Sequence, residues 1–373
     1  MKAGSSPRIF VSAGEPSGDA HAAAVVRALR RRWPDAVIDA FGGPALDAAG
    51  ATVRFPMERY TVIGFFEVLG KIPAHLRLLR ELTRDFRGGR YDLVIPVDYP
   101  GFNIRLSEAA RKAGVRSLYY IAPQLWAWRP GRAKRFAAAV DGVAVILPFE
   151  PEFFRRVGIH AEFVGHPLVE QPRPDRSAAR SALGLGAEDR AVAVFPGSRE
   201  QEVARLWPLF RETTERLRAS GALTRVLVAD TGNHDLPASG EATIVRGNPA
   251  MVLAAADAAL VKSGTTTLEA ALADTPMVVS YRVHPVTAAI ARRVMTVRWI
   301  SLVNLVADRA VVPEIVQWHA TPEALAAELA PLFERNGSAA VAQRAGLAVL
   351  RERLGLPGAA DRVADMAEAV LAA

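Results

Sequence analysis

The 373-residue sequence contains no cysteine. This absence excludes a disulfide scaffold, thiolate metal ligands and a cysteine nucleophile, and it fits a reducing compartment. No apolar run approaches the roughly 18 residues that a membrane-spanning helix needs, and the N-terminal segment lacks the pattern of a signal peptide. The sequence therefore predicts a soluble protein.

Motifs of several enzyme classes are also missing. The histidines show no HExxH spacing, and no Asp-x-Asp pair is present to hold a divalent ion on a diphosphate. There is no GxSxG elbow, no Walker loop and no GxGxxG fingerprint. We therefore expect a reaction without metal or cofactor, in which backbone amides, helix dipoles and arginine stabilise charge.

The net charge of +7 comes from scattered arginines, because only five of the 46 basic residues are lysine. This pattern favours an anionic small molecule or a membrane surface over nucleic acid as a partner. Trp126 and Trp128 beside four basic residues leave three interpretations open. The two tryptophans are either base-stacking platforms, or the wall of a sugar or lipid site, or side chains packed in a loop.

Short apolar strands alternate with helices along both halves of the chain, which predicts parallel sheets covered on both faces. The proline-rich stretch GHPLVEQPRPDRSAARSALGLG separates the halves and is the predicted linker. We expect an α/β protein with two doubly wound, Rossmann-like domains at 1–168 and 169–345, facing a central cleft, and a helical tail at 346–373.

Two turns in the second half have the chemistry of an anion site. In AVFPGSREQEV, Gly197 lets backbone approach a ligand, and Arg199 offers a planar fork at a helix N-terminus. In SGTTTLE, hydroxyl residues precede a helix, and Glu269 lies where it can bind a ribose diol. Each turn alone also fits an ordinary helix cap; together they favour a nucleoside diphosphate.

In the first half, Asp98 ends the apolar strand YDLVIPV. It is either a general base or the N-cap of the next helix. Glu15, Ser17 and Asp19 occupy the corresponding turn after the first strand, where they bind acceptor groups or cap helix one. The apolar stretch TVIGFFEVLGKIPAHLRLLREL is either a core helix or a surface that docks on a bilayer.

Nine segments occur in the order found in lipid-A-disaccharide synthases, a family that the chain resembles from about Ile9 to Gln317: SAGEPSGD, GFFEVLG, DYPGFN, YYIAPQLWAW, LPFEPEFF, FVGHPLVE, FPGSREQE, SGTTTLE and NLVADRAVVPEIVQ. The resemblance implies a glycosyltransferase-B fold. It also implies an inverting transfer from UDP-2,3-diacylglucosamine to 2,3-diacylglucosamine 1-phosphate (lipid X). The products are UDP and the β-1,6 tetraacyl disaccharide 1-phosphate, a precursor of lipid A. Such enzymes are cytoplasmic and peripheral at the inner face of the bacterial inner membrane, and members form dimers that exchange C-terminal segments.

The resemblance also implies roles for individual residues. Asp98 matches an essential aspartate, the base for the acceptor hydroxyl. The predicted donor-binding residues are Gly197, Ser198, Arg199, Ser263, Gly264, Thr265, Thr266, Glu269 and Asn304. The predicted acceptor-binding residues are Glu15, Ser17, Asp19, Asn103, Gln124 and Trp126. The predicted membrane-facing residues are Val62, Ile63, Phe65, Phe66, Leu69, Ile72 and Leu76.

Two alternatives remain open at this stage. Another UDP-sugar enzyme of the same fold, either a soluble-acceptor glycosyltransferase or a UDP-N-acetylglucosamine 2-epimerase, would share the two turns but has no use for an exposed apolar cluster. A basic nucleic-acid-binding protein would show binding with a steep salt dependence.

Overall fold

The computed structural model of the chain describes residues 6–60, 67–127, 130–230 and 242–373, without the side chains of residues 67–70, 130 and 290–292. These residues form two compact units. One consists of Met1–Pro167 with Gly355–Ala373, and the other is Leu168–Leu354.

The first unit is built on a seven-stranded parallel sheet. Its strands are β1 (Arg8–Ala13), β2 (Val37–Gly42), β3 (Thr52–Pro56), β4 (Leu93–Val97), β5 (Arg116–Tyr120), β6 (Gly142–Val145) and β7 (Ala161–Phe163). Their order is β3-β2-β1-β4-β5-β6-β7. Every residue of β4, LVIPV, is buried, as expected of a central strand with helices on both faces.

The second unit has a six-stranded parallel sheet of the same kind. Its strands are β8 (Ala191–Phe195), β9 (Arg225–Asp230), β10 (Thr243–Arg246), β11 (Ala258–Lys262), β12 (Met277–Tyr281) and β13 (Glu314–Val316), in the order β10-β9-β8-β11-β12-β13. In both sheets the order reverses beside the first strand. Within each sheet, the loops that leave the two central strands therefore lie side by side. These strands are β1 and β4 in the first sheet and β8 and β11 in the second. Doubly wound folds bind ligands at this position.

The described α-helices are α1 (Pro16–Arg32), α2 (Pro44–Ala48), α3 (Glu67–Arg87), α4 (Pro100–Lys112), α5 (Ala133–Ala137), α6 (Glu150–Arg156), α7 (Arg176–Ala182), α8 (Glu200–Ala219), α9 (Pro249–Ala255), α10 (Thr266–Leu272), α11 (Pro285–Val294), α12 (Leu302–Ala307), α13 (Pro322–Leu329), α14 (Ser338–Arg353) and α15 (Ala359–Ala372). Within the described ranges, no helix combines the length and apolarity needed to cross a bilayer.

The segment expected as a tail is divided between the units. Helix α14 belongs to the second unit, whereas α15 returns to the first. There α15 packs its apolar side chains Val363, Met366 and Val370 into the core beside α1. Arg32 of α1 forms ion pairs with Asp365 and Glu368 of α15, so the last helix covers apolar surface of the N-terminal sheet.

Candidate functional site

Asp98 lies in a tight left-handed turn directly after β4. Asp98 and Tyr99 have φ values of 47° and 49°, a conformation that costs energy for residues other than glycine and that often marks functional sites. Tyr99, and not Asp98, is the N-cap residue of α4. The alternative interpretation of Asp98 as a helix cap is therefore wrong, and its carboxylate is not used to cap α4.

The backbone of Asp98 is fixed on both sides. Its N–H donates to the carbonyl of Tyr120 at 3.0 Å, and its carbonyl accepts from the Tyr119 hydroxyl at 2.6 Å and from Nδ2 of Asn103 at 2.8 Å. Burial raises the pKa of the Asp98 carboxyl, and the negative charge of Glu15 raises it further. The result is a carboxylate of increased basicity on a rigidly held backbone.

Asn103 is fully buried, and its amide group is used within the fold. Oδ1 accepts from the Ser12 hydroxyl at 2.6 Å, while Nδ2 faces the carbonyls of Ser12, Val97 and Asp98. This arrangement joins the ends of β1 and β4. Asn103 therefore positions the turn at Asp98, and its predicted acceptor contact stays a prediction.

The residues of the AGEPSGD turn divide into two groups. Glu15 and Ser17 are exposed at the start of α1, where a ligand can reach them. Asp19 is buried and accepts from the backbone N–H groups of Gly43 and Ala45, at 2.7 and 2.9 Å. It therefore holds the N-terminus of α2 and does not cap helix one, whose N-cap residue is Glu15; its predicted acceptor contact stays a prediction.

The two residues predicted from the APQLWAW segment also differ. Gln124 is exposed, whereas Trp126 is buried. The Trp126 indole donates to Oε1 of Glu150 at 3.0 Å, and its ring meets Phe149 edge to face. The packed-tryptophan alternative describes Trp126, and the acceptor contacts predicted for Trp126 and Gln124 stay predictions. Trp128 lies outside the described residues.

Most of the predicted membrane-facing cluster lies outside the described residues. Val62, Ile63, Phe65 and Phe66 fall in the omitted range 61–66, and the side chain of Leu69 is not described. Ile72 and Leu76, which are described, are exposed at 43% and 36% on α3.

In the second unit, the Pro196–Arg199 turn leads from β8 into α8. Gly197 has φ 131°, and a Cβ there would lie 2.6 Å from Cβ of Glu202, so only glycine fits. Oε2 of Glu202 accepts from the N–H of Ser198 at 3.3 Å. The side chain of Arg199 is 81% exposed and only loosely paired with Glu202, at 3.8 Å, which leaves its guanidinium accessible to a ligand.

The Ser263–Thr266 turn follows β11, the strand paired with β8. The Ser263 hydroxyl donates to the carbonyl of Ile300 at 2.7 Å, and this bond fixes the turn. Thr265 is exposed, and Thr266 contacts the Glu269 carboxyl. Gly264 leaves room for the ammonium of Lys262, which lies 3.3 Å from where a Cβ would stand.

Glu269 is largely withdrawn from water, and burial raises the pKa of its carboxyl. It lines a cavity of about 370 Å³ that also includes Pro249 and Leu253 of α9 and Arg173 of the linker. Its lining combines apolar walls with the carboxylates of Asp175, Glu269 and Asp274 and with four arginines.

Asn304 is fully buried in α12. Its Nδ2 donates to the carbonyl of Val312 and to Oε1 of Glu314, both at 2.9 Å, and its Oδ1 accepts from the N–H groups of Val311 and Val312. With these four bonds the amide is saturated. Asn304 thus has a structural role in the fold, and its predicted donor contact, which would require breaking this network, stays a prediction.

Sequence reasoning missed several residues at these sites. Glu202, Lys262 and Glu314 form polar contacts in the second unit, and in the first unit His75 bonds to Tyr99, the residue that follows Asp98. Lys262 had a usable signal, since it is a charged residue at the end of the apolar run AALVK, directly before a hydroxyl-rich turn. Where the described residues are concerned, no group of three or more His, Cys, Asp or Glu side chains is arranged to hold a metal ion.

Comparison with known proteins identifies the family and the fold. The model of the lipid-A-disaccharide synthetase family matches residues 9–354. The lipid-A-disaccharide synthase of Anaeromyxobacter sp. (strain K) is 42% identical over 368 residues, which cover 96% of each chain.

Among solved structures, the glycotransferase of kitacinnamycin superposes with a TM-score of 0.64 at 17% identity, covering 98% of this chain and 99% of that one. The UDP-GlcNAc 2-epimerase of Methanocaldococcus jannaschii, solved with UDP-GlcNAc and UDP, gives 0.61 at 11% identity, covering 97% and 99%. These likenesses confirm the predicted glycosyltransferase-B fold. They do not distinguish a transferase from an epimerase, because both enzymes share that fold. The family match distinguishes them and identifies a transferase.

Proposed function

Because the chain belongs to the lipid-A-disaccharide synthetase family, we propose that Asp98 and the turns at Gly197–Arg199 and Ser263–Thr266 carry out its reaction. The enzyme is a glycosyltransferase that condenses UDP-2,3-diacylglucosamine with lipid X to the β-1,6 disaccharide and UDP, in lipid A biosynthesis. The epimerase alternative is not favoured.

Asp98 takes the proton of the acceptor 6-hydroxyl, whose oxygen then attacks the anomeric carbon of the donor. The bond between that carbon and the diphosphate oxygen breaks, and its electron pair leaves with UDP, so the anomeric configuration inverts. The observation that carries this assignment is the partly buried Asp98 carboxyl, which has a raised pKa and a fixed backbone directly after the central strand β4.

We assign the acceptor to the first unit and the donor to the second. Arg199, the N–H groups at the start of α8, and the hydroxyls of Thr265 and Thr266 bind the diphosphate. Glu269 binds the ribose, and the adjoining cavity has room for the base. Glu15, Ser17 and Gln124 are the exposed residues assigned to the acceptor sugar.

The test is UDP release from UDP-2,3-diacylglucosamine in detergent micelles containing EDTA, with and without lipid X. Wild type and a control with exposed Asp35→Asn are expected to release UDP only with lipid X. Folded Asp98→Asn is expected to lose release while still binding UDP. Undiminished release by Asp98→Asn would contradict its role as base.

A peripheral membrane location is a further part of the proposal. Exposed Ile72 and Leu76 on α3 stand beside exposed Arg77 and Arg80, and this combination suits an anionic bilayer. Ile72→Ser/Leu76→Ser is expected to reduce cosedimentation with anionic vesicles, whereas exposed Val349→Ser is not. A homodimer with exchanged C-terminal segments stays a prediction, to be checked by molar mass in solution.

A further inference from the structure

Lys262 stands between the two turns of the donor site. Its ammonium lies 3.1 Å from Oε1 of Glu202 and 5.7 Å from the centre of the Tyr281 ring. Glu202 is buried, while the Lys262 side chain retains 20% of its exposure. The ammonium is thus paired with a carboxylate, and part of the lysine side chain remains accessible to solvent.

Glu202 joins the first turn to Lys262, the residue directly before the second turn. Oε2 receives the N–H of Ser198, and Oε1 faces Lys262 and, more distantly, Arg199. An amide, an ammonium and a guanidinium are the groups that bind phosphate oxygens. Two glycines make this assembly possible, because a Cβ at Gly197 would strike Glu202 and one at Gly264 would crowd Lys262.

We infer that Lys262 is a second cation of the donor site, contacting the departing diphosphate together with Arg199; this inference rests on the proposed function. Glu202 cancels one positive charge, so the three side chains carry a net charge of +1 with Lys262 and zero without it. Negative charge accumulates on the diphosphate as the glycosidic bond breaks, and a site of zero net charge would stabilise it poorly. Glu202 keeps the lysine oriented until the donor arrives.

The experiment compares binding of UDP and of uridine to the full chain by calorimetry. Lys262→Met is expected to weaken UDP about tenfold to one-hundred-fold, the range for a lost hydrogen bond to a charged group, and to leave uridine unchanged. Lys262→Arg is expected to recover most of the UDP affinity. Exposed Lys112→Met is the matched control and is expected to bind both ligands as wild type does.

Removing one partner of a buried ion pair also threatens the fold, so the comparison is repeated with Glu202→Gln. In that background there is no ion pair to break, and Lys262→Met should still weaken UDP by a similar factor. Equal losses of affinity for UDP and for uridine, or loss of the effect in the Glu202→Gln background, would show that Lys262 has only a structural role and would overturn the inference. If Lys262→Met binds UDP as wild type does and Arg199→Ala binds it more weakly, the inference is overturned and the proposed function stands. If both variants bind UDP as wild type does, the proposed donor site is itself wrong.

Discussion

Nε2 of His75 lies 2.9 Å from the phenol oxygen of Tyr99. This hydrogen bond ties α3 to the residue that follows Asp98. The His75 ring also packs edge to face against Tyr60 and Phe102. The helix that carries exposed Ile72 and Leu76 therefore supports the turn that holds the proposed base.

His75→Phe is expected to lower kcat without unfolding the protein. Phenylalanine keeps the ring contacts but removes the hydrogen bond to Tyr99, and one such bond corresponds to about a threefold to tenfold change. Steady-state UDP release and the melting temperature are the two measurements, with exposed His160→Phe as the control. A lower melting temperature with unchanged kcat would assign His75 to stability alone.

Gly14→Ala is expected to destabilise the first unit by about 1–3 kcal/mol, because the side chain has no room. A Cβ at Gly14 would lie within 2.6 Å of three atoms of the Tyr99 ring, whereas nothing lies within 4 Å of a Cβ at Gly101. Urea unfolding of Gly14→Ala and of the control Gly101→Ala measures the difference. Equal free energies of unfolding would show that Tyr99 moves aside at no cost.

Glu15→Gln is expected to move the acid limb of kcat/KM to lower pH. A general base acts in its deprotonated form, so activity falls as the pH drops through the pKa of Asp98. The charge of Glu15 raises that pKa, so its removal lowers the pKa and carries the limb with it. The measurement is the pH profile of UDP release, with exposed Glu58→Gln as the control. An unshifted acid limb would show that the charge of Glu15 does not affect the pKa of Asp98.

Glu150→Gln is expected to flatten the dependence of stability on pH. Burial raises the pKa of Glu150 from its ordinary 4.5 to about 7, although Trp126 and the N–H of Leu147 donate to it. The folded state therefore holds this proton more tightly than the unfolded chain does. The contribution of Glu150 to the free energy of unfolding is fully present below pH 4.5. It decreases by on the order of 3 kcal/mol as the pH rises to 7 and does not change further at higher pH.

Urea unfolding at pH 5 and pH 7.5 measures that fall in the wild type, in Glu150→Gln and in exposed Glu188→Gln. The control should fall as the wild type does. A fall of the same size in Glu150→Gln would assign the pH dependence to other groups.

The sequence by itself determined the parts of this protein that depend on local pattern. Apolar strands such as LVIPV and AVAVF, each followed by a turn and a helix, specify parallel sheets because their strands must be covered on both faces. The positions of Asp98 and Arg199 follow as well, since the residues after such strands emerge at the ligand-binding edge.

Tertiary structure decided which polar residues remain available to a ligand. Asp19 and Asn103 stand in motifs that suit binding, yet Asp19 holds α2 and Asn103 bonds to Ser12, 91 residues away. Glu202 forms an ion pair with Lys262 because the pairing of β8 with β11 brings the two residues close together. Such partners depend on sheet register and helix packing, and local sequence pattern contains neither, because a buried polar group bonds to whatever the fold places beside it.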